Sequence, residues 1–351
     1  MEQPELVSKE AEVAAIEIPS FENPEFLPVD SNDLVSHRVT ELPLYLYNQD
    51  RKRYVLFKQA GEPISQEQLN QLSRDGHRAV FVPGEHRTET HNILADTLGD
   101  ILQDQSLEPM AKSQKVYRTA CNVIRHLFEV NPDNKTFMAT ANKVSNAVAD
   151  LVTKDPMASM CLNRLRSYDY TTYSHSLNVC ILGLGLYQHM NPSSESETMR
   201  DLSRGLLLHD IGKTDLPTEL ITKRGPLSSD EWDMMKSHTT KGYQRLQFER
   251  LISEDAREIA LLHHEAIDGS GYPLGKTKKE IPFTSRLCKV VDVYDALSSN
   301  RSYKDAYSPY QTLQVMITEM KHQVDDRVMR ELIVYLEKMS KLNVRREPAS
   351  S

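Results

Sequence analysis

Residues 202–213 read Leu-Ser-Arg-Gly-Leu-Leu-Leu-His-Asp-Ile-Gly-Lys, an apolar helical segment that ends in the adjacent pair His209-Asp210. Successive helical residues point about 100° apart, so both side chains can reach one ion at the end of the helix. Gly212 lets the backbone turn there, and Lys213 places a cation beside the same point. Taken alone, the pair is more simply explained as a histidine that interacts with the helix dipole, followed by a surface aspartate.

The segments around this pair supply more side chains that commonly bind metals: His175, His238, His263, His264 and Asp292. Individually, His175 reads as a core histidine and His238 as a solvated one. Adjacent imidazoles, and an aspartate set between two valines, need a partner inside the fold. Imidazole and carboxylate ligands suit Fe, Mn or Zn, a carboxylate can bridge two ions, and helices of a bundle can direct ligands to one point. The whole set therefore predicts a metal centre.

The spacing of apolar residues predicts that the C-terminal half is all-helical. Strand signals are nearly absent after residue 165. Apolar residues there recur at the spacing of one helix face. The predicted helices cover residues 173–189, 196–210, 229–246, 254–265, 284–299, 309–322 and 325–341. The interval 266–283, which contains three glycines and two prolines, is predicted to be a long loop that carries binding groups.

The N-terminal half is predicted to contain a small α+β module. Residues 42–47 and 53–58 read as strands joined by a turn, and residues 79–82 as a third strand. Ser65 and Gln68 form a capping-box signature for a helix over 66–74. Further helices are predicted near 110–130, 134–153 and 157–166, either as a connecting or dimerisation stem or as intramolecular core. The fold class is therefore mainly α, with an all-helical domain preceded by this module.

Composition sets limits on domain number, partners and location. A chain of 351 residues suggests two domains, and its net charge of −8 argues against binding large nucleic acids. No apolar run approaches the roughly 20 residues that cross a bilayer, so we expect no membrane insertion and a cytoplasmic location. The four cysteines are far apart, which fits reduced thiols. The predicted domains are an acidic tail at 1–35, the module and connecting helices at 36–165, and the helical domain at 166–345.

Residues 165–325 resemble the HD-GYP group of the HD superfamily of metal-dependent phosphohydrolases. The resemblance rests on motifs that occur in the same order: His209-Asp210-Ile-Gly-Lys213, His238, His263-His264-Glu265, Asp268-Gly-Ser-Gly-Tyr-Pro273, Val291-Asp-Val-Tyr-Asp-Ala-Leu297 and Arg301-Ser-Tyr-Lys304. It implies an all-helical HD-type catalytic domain and a bacterial signalling enzyme that hydrolyses cyclic di-GMP to linear pGpG, in some members onward to GMP. The catalyst would be a hydroxide activated by two metals.

The resemblance also implies a role for each matching residue. The metal ligands would be His175, His209, Asp210, His238, His263, His264 and Asp292. Asp210 would bridge the ions and Lys213 would lie by the scissile phosphate, so both are candidate catalytic residues. The candidate substrate-binding residues are Lys213, Gly271, Tyr272, Pro273, Arg286, Arg301 and Lys304. Arg286 is equally well explained as a structural ion-pair partner.

One departure from the family pattern bears on the number of metals. Members with three metals carry Glu four residues before the first His, and Thr171 stands there in this chain. The resemblance therefore predicts two divalent ions, preferably Fe with Mn as the alternative, and no third metal. This puts efficient conversion of pGpG to GMP in doubt.

Several alternatives stay open at this point. The substrate could be 3′,3′-cyclic GMP-AMP at the same site, or the chain could be a catalytically weak cyclic di-GMP receptor. Another HD enzyme acting on nucleoside phosphates and a purely structural metal site fit less well, because seven ligands exceed what one structural ion needs. The N-terminal half could serve a homodimer or a signalling partner. The sequence leaves the signal that it senses, the native metal and the oligomeric state undetermined.

Overall fold

The computed structural model describes residues 25–31, 41–77, 79–130, 134–165, 172–223, 225–300 and 306–344. Contacts divide the chain into two compact units, Met1–Thr90 and His91–Ser351. The domain boundary predicted near residue 165 differs from this division, because it separates proposed roles rather than compact units. It stays a prediction.

The described residues of the first unit contain a four-stranded antiparallel sheet and one complete α-helix. The strands are β1 (Phe26–Asp30), β2 (Leu44–Asn48), β3 (Arg53–Lys58) and β4 (Ala79–Pro83), in the order β1-β4-β2-β3, and helix α1 is Gln66–Arg74. The Ser65 hydroxyl accepts the N–H of Gln68, and the Gln68 side chain accepts the N–H of Ser65. This reciprocal pair forms the capping box expected from the sequence.

Strand β1 corrects the prediction that residues 1–35 form only an acidic tail. Phe26–Asp30 pairs with β4, and the side chains of Leu27 and Val29 are 1% and 4% exposed. Pro28 concealed the strand, because proline removes a backbone donor and is usually a sign against a strand. β1 lies at the edge of the sheet, where a missing donor is tolerated.

The second unit contains helices joined by loops in its described parts, with one isolated bridge between Asp268 and Thr277. Helix α2 (Arg87–Gln103) spans the division between the units and is followed by α3 (Pro109–Val130), α4 (Asn134–Lys154), α5 (Pro156–Arg164), α6 (Thr172–Met190), α7 (Ser196–Leu207), α8 (Thr218–Ile221), α9 (Ser229–Lys236), α10 (His238–Leu246), α11 (Glu254–Leu262), α12 (Phe283–Ser298), α13 (Pro309–Thr318) and α14 (Asp326–Val344). A 3-10 turn covers Ile211–Asp215. None of the described helices combines the length and apolarity needed to cross a bilayer.

Helix α6 forms the centre of this unit. It packs against α3, α4, α5, α7, α12 and α14. Apolar side chains on more than one face of α6, including Leu177, Val179, Ile181 and Leu184, are fully buried. A helix that is apolar on all sides is stabilised by burial on all sides.

Helices α3, α4 and α5 pack within this unit rather than standing apart as a stem. α4 contacts α7, and the guanidinium of Arg200 pairs with Asp150 at 2.9 Å. Arg204 Nε donates to Asn142 Oδ1 at 2.7 Å. Intramolecular packing, one of the two alternatives above, therefore describes these helices. A dimer contact through the same region stays a prediction.

The region predicted as one helix over 229–246 is two helices. α9 ends at Lys236, Ser237 forms a turn, and α10 begins at His238. α9 buries none of its residues, whereas the side chain of His238 is 1% exposed. The break lets one part remain at the surface while the next turns a histidine inward.

Candidate metal centre

The seven predicted ligands come from five places along the helical unit. His175 lies on α6, the pair His209 and Asp210 follows α7, His238 begins α10, the pair His263 and His264 follows α11, and Asp292 lies on α12. Close backbone packing brings two of these elements together. A Cβ atom on Gly212 would lie 1.9 Å from the carbonyl oxygen of His238, so only glycine allows the turn after Asp210 to approach α10.

These side chains form two groups that meet at Asp210. In one, ligand atoms of Asp210, His238, His263 and His264 lie within 4.8 Å of one another; in the other, those of His175, His209 and Asp292 do. Asp210 Oδ1 is 3.3 Å from His238 Nε2 and 3.7 Å from His263 Nε2. Asp210 Oδ2 is 3.4 Å from His209 Nε2 and 3.7 Å from His175 Nε2. One carboxylate therefore presents one oxygen to each group.

The far nitrogen of four imidazoles is held by a second partner. His175 Nδ1 lies 2.8 Å from Asp295 Oδ2. The Nδ1 atoms of His209 and His238 lie 2.8 and 2.7 Å from the carbonyl oxygens of Leu206 and Met235. His263 Nδ1 lies 3.1 Å from the carbonyls of Ile259 and Ala260. Donation from Nδ1 fixes the tautomer in which Nε2 keeps its lone pair, which is the arrangement of metal-binding histidines.

Burial and charge keep these groups in the protonation states that bind cations. Burial lowers the pKa of His238 to about 3, against the pull of the Asp210 charge, and burial also lowers the pKa of His263 and His264. Burial alone would raise the pKa of Asp210, but the nearby charges of Lys213 and His209 hold it well below its usual value. The imidazoles of His238, His263 and His264 are therefore neutral and the Asp210 carboxylate is ionised near pH 7.

Two buried atoms support the fit of a cation to this site. Among the described residues, neither His209 Nε2 nor Asp210 Oδ1 has a hydrogen-bond partner. A buried acceptor without a partner costs roughly 1–3 kcal/mol, and more when it carries charge. Neutral imidazoles and carboxylates suit divalent first-row metals, so a bound ion satisfies both atoms at once.

Lys213 lies where the sequence motif suggested, beside the carboxylate. Its Nζ is 2.5 Å from Asp210 Oδ2, and its side chain is 15% exposed. The ammonium group of Lys213 therefore lies next to the candidate metal ligands, while part of its side chain remains exposed to solvent.

The loop after α11 is anchored by Glu265, a residue for which no separate role was predicted. Its Oε1 and Oε2 accept the backbone N–H groups of Leu274 and Lys276 at 2.6 and 3.0 Å. Gly271 lies so close to the backbone of Glu265 and Ala266 that a Cβ atom would be 2.2 Å from the Ala266 nitrogen. The Tyr272-Pro273 peptide bond is cis. The loop is thus folded tightly against the end of α11.

This arrangement of the loop brings two aromatic rings, Tyr272 and Trp232, into consecutive contact beside the metal ligand His264. The ring of Tyr272 stacks on His264, with centroids 4.8 Å apart and planes 25° apart. Trp232 on α9 makes an edge contact with Tyr272 at 6.2 Å. Trp232 was not among the site residues predicted from the sequence. The only available signal was that the single tryptophan of the chain lies on a short helix in which most residues are polar.

The remaining predicted substrate residues have different outcomes. The guanidinium of Arg286 pairs with Asp325 and donates from Nε to the carbonyl of Ile281 at 3.0 Å, which are the contacts of a structural ion pair. Its role in substrate binding stays a prediction. Arg301, Lys304 and Thr171 lie outside the described residues.

Comparisons with known proteins agree with this site. A family model described as HD domain matches residues 175–328. A cyclic di-GMP phosphodiesterase of Pseudomonas aeruginosa is 32% identical over 195 residues, which is 56% of this chain and 46% of that protein. A cyclic di-GMP phosphodiesterase of Thermotoga maritima is 38% identical over 146 residues, 41% of this chain and 39% of that protein.

A further relative carries a different substrate in its name. A 3′3′-cGAMP-specific phosphodiesterase of Vibrio cholerae is 33% identical over 141 residues, 40% of this chain and 26% of that protein. This chain therefore spans less than half the length of these curated relatives.

A solved structure has the same fold. It is described as Bd1817, a HDG"Y"P protein from Bdellovibrio bacteriovorus, and it superposes with a TM-score of 0.64 at 16% identity over 89% of this chain and 100% of that one. The family match, the relatives and the order of the motifs show that residues 175–328 are an HD domain similar to those of the cyclic di-GMP phosphodiesterases named above.

Proposed function

We propose that this chain is a metal-dependent phosphodiesterase that opens cyclic di-GMP to linear pGpG. The observation that carries the proposal is the carboxylate of Asp210, whose two oxygens face two separate groups of histidine and aspartate ligands. A structural metal site needs one closed set of ligands, whereas two adjoining sets suit phosphodiester hydrolysis.

The proposed centre holds two divalent cations. Asp210, His238, His263 and His264 would bind one, and His175, His209 and Asp292 the other, with Asp210 shared. Fe is favoured and Mn is the alternative, since mixed imidazole and carboxylate ligation suits both. When bound, such ions lower the pKa of water towards neutrality and neutralise phosphoryl charge.

The side chains of this chain then orient and stabilise the reacting groups. Lys213, held beside Asp210, contacts a phosphoryl oxygen, and Arg301 and Lys304 hold the phosphates of the ligand. Such preorganised cations stabilise charge that develops in the transition state. Gly271, Tyr272 and Pro273 line the purine-binding groove. Asp295 holds His175 in the required tautomer.

The proposed reaction breaks one bond between phosphorus and a ribose 3′-oxygen. The oxygen of water forms the new bond to phosphorus, and the proton passes to the departing 3′-oxygen, which gives a 5′-phosphate end on the linear product. Thr171 supplies no carboxylate for a third metal, so we propose one step rather than efficient passage to GMP.

The leading alternative substrate is 3′,3′-cyclic GMP-AMP. Relatives named for each cyclic dinucleotide match this chain with similar identity, 32% and 33%. A receptor that binds cyclic di-GMP without turnover is the second alternative. Cytoplasmic signalling, with a homodimer or partner contact through residues 36–165, completes the proposal.

Product analysis tests these alternatives together. Protein purified without oxygen and loaded with Fe or Mn is incubated with each cyclic dinucleotide, and the products are separated by chromatography. Formation of pGpG supports the proposal, and preferential hydrolysis of the mixed dinucleotide favours the alternative substrate. Tight binding without product favours the receptor. Absence of both binding and hydrolysis in metal-loaded protein contradicts the proposed function.

A further inference from the structure

The chain has one tryptophan, and it stands in an unexpected environment. Trp232 lies on α9, a helix that buries none of its residues, and 47% of Trp232 is exposed to solvent. An indole at the surface contributes little to folding, because its apolar area remains in water. Because Trp232 lies close to the candidate metal centre, its exposed ring is available to contact a ligand bound there.

The position of Trp232 relative to the metal centre is defined by two ring contacts. His264, a member of one ligand group, stacks with Tyr272 at 4.8 Å. Tyr272 in turn meets Trp232 at 6.2 Å with an angle of 75° between the planes. The three rings therefore run from the buried ligands to the solvent. Because the last two are nearly perpendicular, Tyr272 does not cover the indole by stacking.

Local structure holds α9 in this position. Ser228 and Glu231 form a capping box at its start, and Lys223 pairs with Glu231 at 2.5 Å. At its other end, the carbonyl oxygen of Met235 lies 2.7 Å from Nδ1 of the buried His238. Helix α9, which carries Trp232, is thus hydrogen-bonded directly to His238 of the candidate metal centre.

Resting on the proposed function, we propose that Trp232 is a substrate-binding residue that stacks on one purine of the cyclic dinucleotide while the phosphodiester lies at the metal centre. Base–aromatic stacking contributes roughly 1–3 kcal/mol per base and tolerates either purine. Trp232 thereby recognises the presence of a purine rather than its identity, which fits a site whose relatives act on two different cyclic dinucleotides.

The kinetic test compares Trp232→Ala with the aromatic replacements Trp232→Phe and Trp232→Tyr. We expect Trp232→Ala to raise KM for the cyclic dinucleotide about 5- to 150-fold, the factor that corresponds to the stacking energy at about 1.4 kcal/mol per tenfold change. The aromatic variants should recover most of this loss, and metal content should not change. Met234→Ala is the matched control, because Met234 lies on the same helix and is 45% exposed.

An unchanged KM in Trp232→Ala overturns the inference. So does a loss of metal or of kcat alone, since either result indicates a structural role for the indole. A change in oligomeric state with KM unaltered also overturns it and identifies a contact between copies instead. If a non-aromatic Trp232→Leu variant recovers KM as fully as the aromatic variants do, the size of the side chain matters rather than stacking. That result also overturns the inference.

A fluorescence titration separates this inference from the proposed function. Because Trp232 is the only tryptophan, saturable quenching by a phosphorothioate analogue of cyclic di-GMP reports contact with the indole in Mn-loaded protein that does not turn it over. Saturable quenching in a protein without hydrolytic activity supports stacking while the proposed function fails. Active hydrolysis without quenching leaves the proposed function intact and refutes the stacking.

Discussion

The two oxygens of the Asp210 carboxylate have different neighbours, and this difference defines the site at the scale of single residues. His238 and His263 lie on the side of Oδ1, whereas His209 and His175 lie on the side of Oδ2. Asp210 is 1% exposed, so its charge needs compensation inside the fold. Its side chain is where the two ligand groups are joined.

Replacing Asp210 by Asn should therefore disrupt both groups. We expect the metal content to fall from about two ions per chain by at least one, and hydrolysis to fall by roughly 100-fold or more, because a neutral amide bridges cations poorly. Elemental analysis and product formation measure the two effects. Asp233→Asn, the same change at an exposed carboxylate on α9, should alter neither. Normal turnover with both metals retained would refute the role of Asp210.

The contact between His175 and Asp295 gives a second residue-scale prediction. Asp295→Asn should weaken metal binding by about 10- to 100-fold, the usual effect of removing the carboxylate behind a ligating histidine. A metal titration of the apoprotein measures the affinity. Asp325→Asn is a suitable control, because Asp325 is equally buried but pairs with Arg286 and Lys278. Equal losses of affinity in both variants would assign Asp295 a merely structural role.

At the scale of secondary-structure elements, the site depends on where helices end. His209 and Asp210 follow the end of α7, His263 and His264 follow α11, and His238 begins α10. Residues at helix ends can point along the axis as well as outward, so neighbouring residues can reach the same point. Glycines at the contacts allow these ends to approach each other, most closely at Gly212 against α10.

Gly212→Ala is expected to force the turn after Asp210 away from α10. The added Cβ would meet the backbone at His238 and Gly242, which cannot rotate aside. We expect destabilisation of about 1–3 kcal/mol and a Tm lower by roughly 2–10 °C, with weaker metal binding. Calorimetry measures the Tm.

Gly99→Ala provides the matched comparison for that variant. Gly99 lies inside α2, and a Cβ there meets nothing within 4 Å. Alanine should be neutral or stabilising by up to about 1 kcal/mol, since it favours a helix more than glycine does. A Gly212→Ala protein as stable as the Gly99→Ala protein would contradict the close packing at the metal centre.

At the scale of the whole molecule, all described candidate ligands lie in the unit His91–Ser351. A ligand that binds only the folded state stabilises the unit that contains its site. We expect added Mn to slow hydrogen exchange in peptides from α6, α7, α10, α11 and α12, whereas peptides from β1–β4 should exchange at the same rate. Mass spectrometry with and without EDTA measures this. Equal protection in both units would show that the proposed metals couple them.

How well each element was predicted depends on the sequence distance between the residues that stabilise it. Helices α1, α3, α4, α6 and α11 begin within one residue of their predicted starts, because capping residues and apolar spacing act over a few residues. β1 was missed, since its stability comes from pairing with β4, whose partner residues lie 49 to 57 positions away, rather than from its own composition. The break before His238 was missed because an exposed helix and the buried helix that follows it form one uninterrupted helical pattern in the sequence.

The sequence by itself determined the chemical types of the ligands and the helices that carry them, because side-chain chemistry and helical periodicity are properties of neighbouring residues. The tertiary structure alone decided which oxygen of Asp210 faces which group, that Asp295 supports His175 across 120 positions, and that Tyr272 and Trp232 extend the site towards solvent. These contacts depend on the packing of α6, α7, α9, α11 and α12, and packing angles and distances between separate helices are set by their combined surfaces, which no single segment encodes.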